Sequence, residues 1–313
     1  MQPIMYVNGE PVTIREFKQR MEYDYRAVTI DYFARNWNAQ VDEEFWGKRF
    51  RDITPREYLA ERTIENCALI KIQTLKMKEM GIINDISYQS FLGDLEVENQ
   101  RRKETVKKGG IIYGPEQYSE NEYFEYVFSN LRKELKEKMA TELGWNEESE
   151  LQEYYETFKD SYYKYSDDIE IMKLVVPYNN DSKSETYSKL EKIVKASVDK
   201  ESFEKAANVL GEIEVQNFTE ETARSDSRYF EPLKLAAMSL EPDSVSQVID
   251  DGENLSVIYC VSKIDGGYIP FDSIRDNVRQ QYYDQCFDEW LNNQYAKAEI
   301  VVKNVERIVR EVE

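Results

Sequence analysis

The sequence predicts an α+β protein with more than one domain, and three observations predict it. Apolar residues recur at helical spacing from residue 14 to about residue 165. At residues 169–176 that period gives way to a strand pattern, and short strands and helices follow as far as residue 264. Beyond Gly266-Gly267 one long helical pattern returns over residues 272–296. A chain of 313 residues also favours two domains over one.

The first elements announce themselves by their ends. Tyr6-Val7, Asn8-Gly9 and Glu10-Pro11-Val12 read as strand, type I′ turn and strand. Thr13 and Glu16 have capping-box spacing, and Ile14, Phe17, Met21, Tyr25, Val28 and Tyr32 continue as one apolar helix face. Thr54-Pro55-Arg56-Glu57 is a second box with proline at the first helical position, and its helix runs to Met80, where Gly81 stops it. Cys67, Ala68, Lys71, Ile72 and Leu75 lie on or beside the inner stripe of that helix. Residues 87–108 form a charged helix closed by Gly109-Gly110. Ser119 and Glu122 make a third box ahead of Tyr123, Val127, Leu131, Leu135 and Met139, and Gly144 ends that helix. Residues 147–165 form another, rich in tyrosine.

The period then changes. Residues 169–176 form a strand stopped by Pro177, and the polar loop 179–182 leads into a helix over 184–198. A short helix over 203–210 opens after Asp199, residues 211–215 are extended, and residues 230–240 form one further short helix. Strands at 245–249 and 255–264 flank the turn Asp250-Asp251-Gly252. A β-α-α-β-α-β-β order of this length is a compact α+β domain. In the helix after the Gly266-Gly267 linker, Ile274, Val278, Tyr282, Cys286 and Trp290 are spaced by four, and residues 298–302 have strand character.

Composition narrows the function. Lys and Arg total 41 against 61 Asp and Glu, a net charge of −20, so a phosphate backbone gains nothing from counterion release and nucleic acid is excluded as a partner. The chain has no histidine, which removes Ser-His and Cys-His nucleophile pairs, histidine bases and the common zinc sites. No metal or cofactor motif occurs, so none is expected. Cys67, Cys260 and Cys286 are odd in number and widely spaced, which argues against a disulfide framework and for small buried hydrophobes. Asp250 and Asp251 read as turn residues without an acid–base role. The N-terminus, Met1-Gln2-Pro3-Ile4, carries neither a basic nor an apolar targeting segment. Two readings stay open: a cytoplasmic chain, or one from which such a segment has been removed.

Taken in order, these segments resemble the SurA/PrsA-type extracytoplasmic foldases, which carry a parvulin-like peptidyl-prolyl isomerase domain. VNGEPVTIREFKQRM is similar to the family's N-terminal hairpin and first helix. ELQEYYETFKDSY followed by IEIMKLVVP resembles the helix leading into the first parvulin strand. SFEKAANVLGEI, FEPLKLAAMSLEPDSVSQVI and GGYIPFDSIRDNV resemble the helix with its glycine-acid turn, the later helix and strand, and the exit into the C-terminal helix. The resemblance covers most of the chain. It implies a mainly helical chaperone module from residues 1–166 plus 267–313, with an inserted parvulin-like (FKBP-like) α+β domain at 167–266. It also implies that the strand at 298–302 pairs with the N-terminal hairpin. The family works outside the cytoplasm, often with a lipid anchor, which favours the reading in which a signal segment was removed.

The resemblance also locates the chemistry. Its two catalytic histidine positions fall at Lys173 and at Ser256, or at Cys260 if the register slides by four, and a family glycine falls at Asp243. Tyr229 and Leu233, four apart on one short helix, match two apolar positions of the proline-binding groove, although both residue types also serve as ordinary core packing. Three functions follow. The first is a chaperone or foldase that binds unfolded or newly exported polypeptides, the tyrosines of residues 154–165 among its contacts, with a parvulin-like domain that binds rather than catalyses. The second is an active prolyl isomerase, and the third an envelope scaffold with one fixed partner.

Overall fold

Capping and turn chemistry set the N-terminal elements, and the computed structural model, which describes residues 2–303, follows them. Strands β1 (Pro3–Val7) and β2 (Glu10–Thr13) form an antiparallel hairpin. Its turn puts Asn8 and Gly9 at φ of 51° and 83°, the left-handed pair that a type I′ turn requires. Helix α1 (Ile14–Arg20) opens with the Thr13–Glu16 box: the Glu16 N–H donates to Thr13 Oγ1 at 3.1 Å and the Thr13 N–H donates to Glu16 at 3.3 Å. The helical spacing does not continue unbroken. A π-helical turn at Met21–Tyr25 separates α1 from α2 (Arg26–Trp37), shifting the apolar stripe so that Val28 is exposed. Asn38 ends α2 in the left-handed conformation.

Helices α3 (Pro55–Glu79), α4 (Tyr88–Lys107) and α5 (Glu120–Leu143) follow, with the Thr54–Glu57 and Ser119–Glu122 boxes closed at the heads of α3 and α5. Helix α6 (Glu148–Tyr162) stops short of the expected residue 165, because the chain turns into an antiparallel bridge between Lys164 and Tyr268.

A five-stranded antiparallel sheet comes next, with its helices interleaved: β3 (Asp168–Pro177), α7 (Lys183–Ala196), α8 (Lys200–Ala207), β4 (Ile213–Phe218), α9 (Ala223–Tyr229), α10 (Glu231–Ser239), β5 (Ser244–Val245), β6 (Ile249–Asp250) and β7 (Asn254–Ile264). The sheet order is β4-β3-β7-β5, with β6 also paired to β7. The strand expected at 245–249 is two short pieces, since the Ser246 hydroxyl takes the Ile258 N–H between them. Helix α9 was not expected. The helix expected at 230–240 begins at Glu231, because Phe230 at φ −132° interrupts the helical backbone.

Last come α11 (Phe271–Lys297) and β8 (Ile300–Val302), and β8 pairs antiparallel to β1, opposite β2. Residues 304–313, part of the expected 267–313 segment, lie outside the described residues.

The chain divides into two compact units, Met1–Leu151 with Arg279–Glu313, and Gln152–Val278. In the first, Met5, Val7 and Val12 of the hairpin pack with Phe17, Phe33, Leu59, Ile72 and Met139, and with Phe287 and Leu291 of α11. In the second, alternate residues of the sheet fill two layers. Met172, Leu174, Leu255, Val257 and Tyr259 meet Leu190, Ile193 and Phe203 of α7 and α8. Ile169, Ile171, Phe218, Ile258 and Cys260 meet Leu233 and Ala237 of α10. A third cluster joins Tyr155, Tyr163 and Val278. Among the described residues no helix is long and apolar enough to cross a membrane.

Candidate functional site

Two places among the described residues bear on chemistry or binding. The first is the α10 face of the sheet. Strand alternation puts Lys173 on the side of Ile171, and the antiparallel register sets it opposite Ile258 of β7 and Glu214 of β4. On β7 the same face carries Ser256 and Cys260, two residues to either side of Ile258, so both lie diagonal to Lys173 at about 7–8 Å. The fold thus brings Lys173 and both alternatives for the second position onto one surface.

Their surroundings decide what they can do. The Lys173 side chain is 10% exposed, and its Nζ donates to Gln216 Oε1 at 2.8 Å and lies 3.2 Å from Glu214 Oε2. The Phe230 ring stands over it, 5.0 Å from Nζ to centroid. An ammonium held this way by a carboxylate, a carboxamide and a ring has its hydrogens committed. Ser256 is buried, and Cys260 is fully so. Burial pushes the Cys260 thiol up from its ordinary pKa, which makes it a poor nucleophile.

The two groove positions separate. Leu233 is buried in the layer beneath α10, while Tyr229 is 66% exposed at the end of α9. The break at Phe230 puts them on different helices, so the expectation that they share one helix face is corrected. Asp243, at the position that the resemblance gives to a glycine, has φ 59°, a left-handed backbone that glycine adopts freely and aspartate tolerates. Its Oδ1 accepts from the Tyr259 hydroxyl at 3.2 Å.

The second place is a cleft in the first unit that sequence reasoning missed. Asn66, Leu69, Ile70 and Gln73 form one stripe of α3 at i, i+3, i+4 and i+7 spacing. Phe124, Phe128 and Arg132 of α5 face that stripe, with Asp288 and Leu291 of α11 and the side chain of Arg20 completing the walls. The cleft has a volume of about 600 Å³, within the range of roughly 300–1,000 Å³ typical of binding sites. Arg20 is buried, with its guanidinium 3.7 Å from the Phe124 ring centroid and Nη2 donating to Asn121 at 3.3 Å.

Past Phe124 and Phe128 lies a smaller apolar pocket of about 220 Å³, bounded by Ile83, Phe91 and Leu131. It also meets a buried ion pair, Lys71 Nζ to Glu16 Oε1 at 3.2 Å. Beside that pair the Tyr88 hydroxyl donates to Glu120, and burial together with that bond pushes the phenol far above its ordinary pKa.

The tyrosine-rich stretch is largely internal. Tyr155 and Tyr163 stack at 5.4 Å within the third cluster, and Tyr162 and Tyr165 are the exposed members, so the expected run of contacts reduces to those two. Cys67 and Cys260 are buried, Cys286 is half-buried, and no disulfide joins them.

No family model matches the sequence. A curated relative, the chaperone for lacto-N-biosidase of Bifidobacterium longum subsp. longum, is 24% identical over 132 residues, which are 42% of this chain and 47% of that protein. The chain thus spans about half the length of the curated relative it matches. Among solved structures, the chain is similar to a SurA-like chaperone of Campylobacter jejuni, 14% identical, with a TM-score of 0.31 over 96% of this chain and 99% of that one. It is also similar to the foldase PrsA of Streptococcus pneumoniae, 14% identical, with a TM-score of 0.24 over 85% and 92%. PrsA of Bacillus subtilis is 14% identical, with a TM-score of 0.20 over 83% and 89%.

Proposed function

We propose that the chain is a chaperone that holds unfolded or newly exported polypeptides outside the cytoplasm, and that its α+β unit binds them without isomerising prolyl bonds. The partial match to a curated chaperone and the order of the sequence motifs support the first part. The second part rests on one observation, the state of Lys173. An X–Pro bond turns over in tens to hundreds of seconds because amide resonance must be broken, and a catalyst needs groups that engage the twisting amide. Here the position that the resemblance gives to an imidazole holds an ammonium already bonded to Gln216 and Glu214 and covered by Phe230. Extracytoplasmic location, with or without a lipid anchor, belongs to the same reading.

The test pairs two assays on the full chain. Light scattering of several unrelated denatured proteins falls in its presence, and cis-to-trans conversion of a proline test peptide at micromolar chain proceeds at the uncatalysed rate. Faster conversion would instead make it an isomerase. Failure to protect any client, with one stoichiometric partner recovered by pull-down, would make it a scaffold.

A further inference from the structure

The cleft of the first unit contains polar groups that the protein leaves unmatched. Gln73 is only 4% exposed, and its Nε2 donates to the Leu69 carbonyl at 3.0 Å. That bond fixes the carboxamide plane and turns Oε1 away, and Oε1 has no hydrogen-bond partner among the described residues. Asn66 Oδ1, two turns earlier on the same stripe of α3, has none either, nor has Nε of Arg132 across the cleft. Buried polar atoms without partners are uncommon and costly. Of the five such atoms among the described residues, three line this one cleft, which points to an occupant.

The chemistry of the walls selects that occupant. Two acceptors need donors, and one donor needs an acceptor. The formal charges cancel, Arg20 and Arg132 against Glu125 and Asp288, so the complement is neutral. An extended main chain presents N–H and C=O groups along its edges and carries no charge. Asn66 and Gln73 stand seven residues apart, about 10.5 Å along a helix, which leaves room for two N–H groups on one edge of an extended chain, where they recur every second residue at roughly 6.6 Å. Ile70, Phe124 and Phe128 are shared with the apolar pocket of about 220 Å³, too small for a whole ligand and suited to one side chain. Glu125, Phe128 and Arg132 are shared with a further groove of about 240 Å³, so a chain can pass through without presenting a terminus.

We infer that this cleft binds an extended, uncharged polypeptide segment by its main chain, with Gln73 and Asn66 accepting backbone N–H groups, Arg132 donating to a backbone carbonyl and one apolar side chain seated past Phe124 and Phe128. The inference deepens the chaperone reading and rests on it. It gives that reading a mechanism for ignoring client sequence: the amide is read, and the side chains, apart from one, are not.

Fluorescence polarisation on the full chain tests it. The probes are a labelled, uncharged ten-residue peptide with one central leucine and its depsipeptide twin, in which alternate backbone N–H groups are replaced by ester oxygens. The wild-type chain binds the amide roughly three- to tenfold more tightly than the ester, the effect of one or two hydrogen bonds. Gln73→Leu and, at a half-buried position, Asn66→Leu each reduce that preference and the double variant abolishes it, which keeps the test open if the first variant fails to fold. Equal binding of amide and ester by the wild type overturns the inference, as does a preference that survives both substitutions. Displacement of the peptide by a neutral oligosaccharide would overturn it too, by assigning the unmatched groups to hydroxyls. If the chain still suppresses aggregation in any of these cases, the chaperone reading stands and only the cleft assignment falls; if it suppresses none, both fall.

Discussion

Consider the replacement of Lys71 by methionine. The Lys71 side chain is 4% exposed and that of Glu16 is 12% exposed, and their atoms meet at 3.2 Å between α3 and α1. Removing one partner of a buried pair costs about 3–5 kcal/mol, because the other charge is left uncompensated. Glu16 keeps one bond, from the Thr13 N–H at 3.3 Å, which puts the expected loss near the lower end, about 3 kcal/mol. For a unit of roughly 150–250 residues, 3 kcal/mol lowers Tm by about 6–12 °C.

The assay is favoured by the sequence. All four tryptophans, Trp37, Trp46, Trp145 and Trp290, fall in the first unit, so tryptophan fluorescence during urea or thermal unfolding reads that unit alone. The double variant Lys71→Met/Glu16→Gln removes both charges, and glutamine at the third helical position still reaches back to Thr13 in a capping box. It therefore recovers most of the loss. A single variant that loses less than about 1 kcal/mol, against the loss of about 3 kcal/mol expected, would show that the pair is not a buried one, and so would a double variant no more stable than the single one.

Other perturbations follow from the second unit. Leu233→Ala empties a buried position in the α10 layer and costs about 2–5 kcal/mol, whereas Tyr229→Ala at an exposed position stays within about 0.5 kcal/mol; circular dichroism during urea unfolding separates the two. Around Lys173 the effects are asymmetric. Glu214→Ala strands a buried ammonium and destabilises more than Lys173→Met, which leaves a largely solvated carboxylate behind; denaturation midpoints in the reverse order would contradict the ion-pair description. The Asp250 carboxyl, which accepts from Lys183 Nζ at 2.6 Å and from the Tyr178 hydroxyl at 2.8 Å, is held down at about 2. Because its folded pKa lies below its unfolded value of about 3.9, its contribution is present above that value and lost as pH falls through the folded one. Asp250→Asn is therefore less stable than the wild type at neutral pH, and the gap closes between about pH 4 and pH 2.

How much of this could be read from the sequence depended on how local each signal was. Three capping boxes and the Asn8-Gly9 turn involve residues no more than four apart, and each was legible and is present. The π-helical turn at Met21–Tyr25 was invisible, because Ile14 through Tyr32 satisfy a helical period whether or not a residue is inserted. Helix α9 reads Ala-Arg-Ser-Asp-Ser-Arg-Tyr and has no apolar stripe to find; mutual bonds between Thr219 and Thr222 start it, and Asp226 bonds back to Thr222. Missing it led to the placement of Tyr229 and Leu233 on one helix. The motif resemblance named Lys173 and, as alternatives, Ser256 and Cys260, and their common face becomes visible only with the β3–β7 register. The cleft was out of reach for a different reason. Its walls come from α1, α3, α5 and α11, far apart along the chain, and its unmatched atoms are defined by bonds that do not form.

The most direct measurement follows the refolding of a client whose slow phase is limited by prolyl isomerisation, with scattering and folding recorded together at substoichiometric and stoichiometric chain. Scattering is expected to fall as the chain approaches stoichiometry while the rate constant of the slow phase stays at its uncatalysed value. A slow phase accelerated by substoichiometric chain, or scattering unchanged at any ratio, would contradict that expectation.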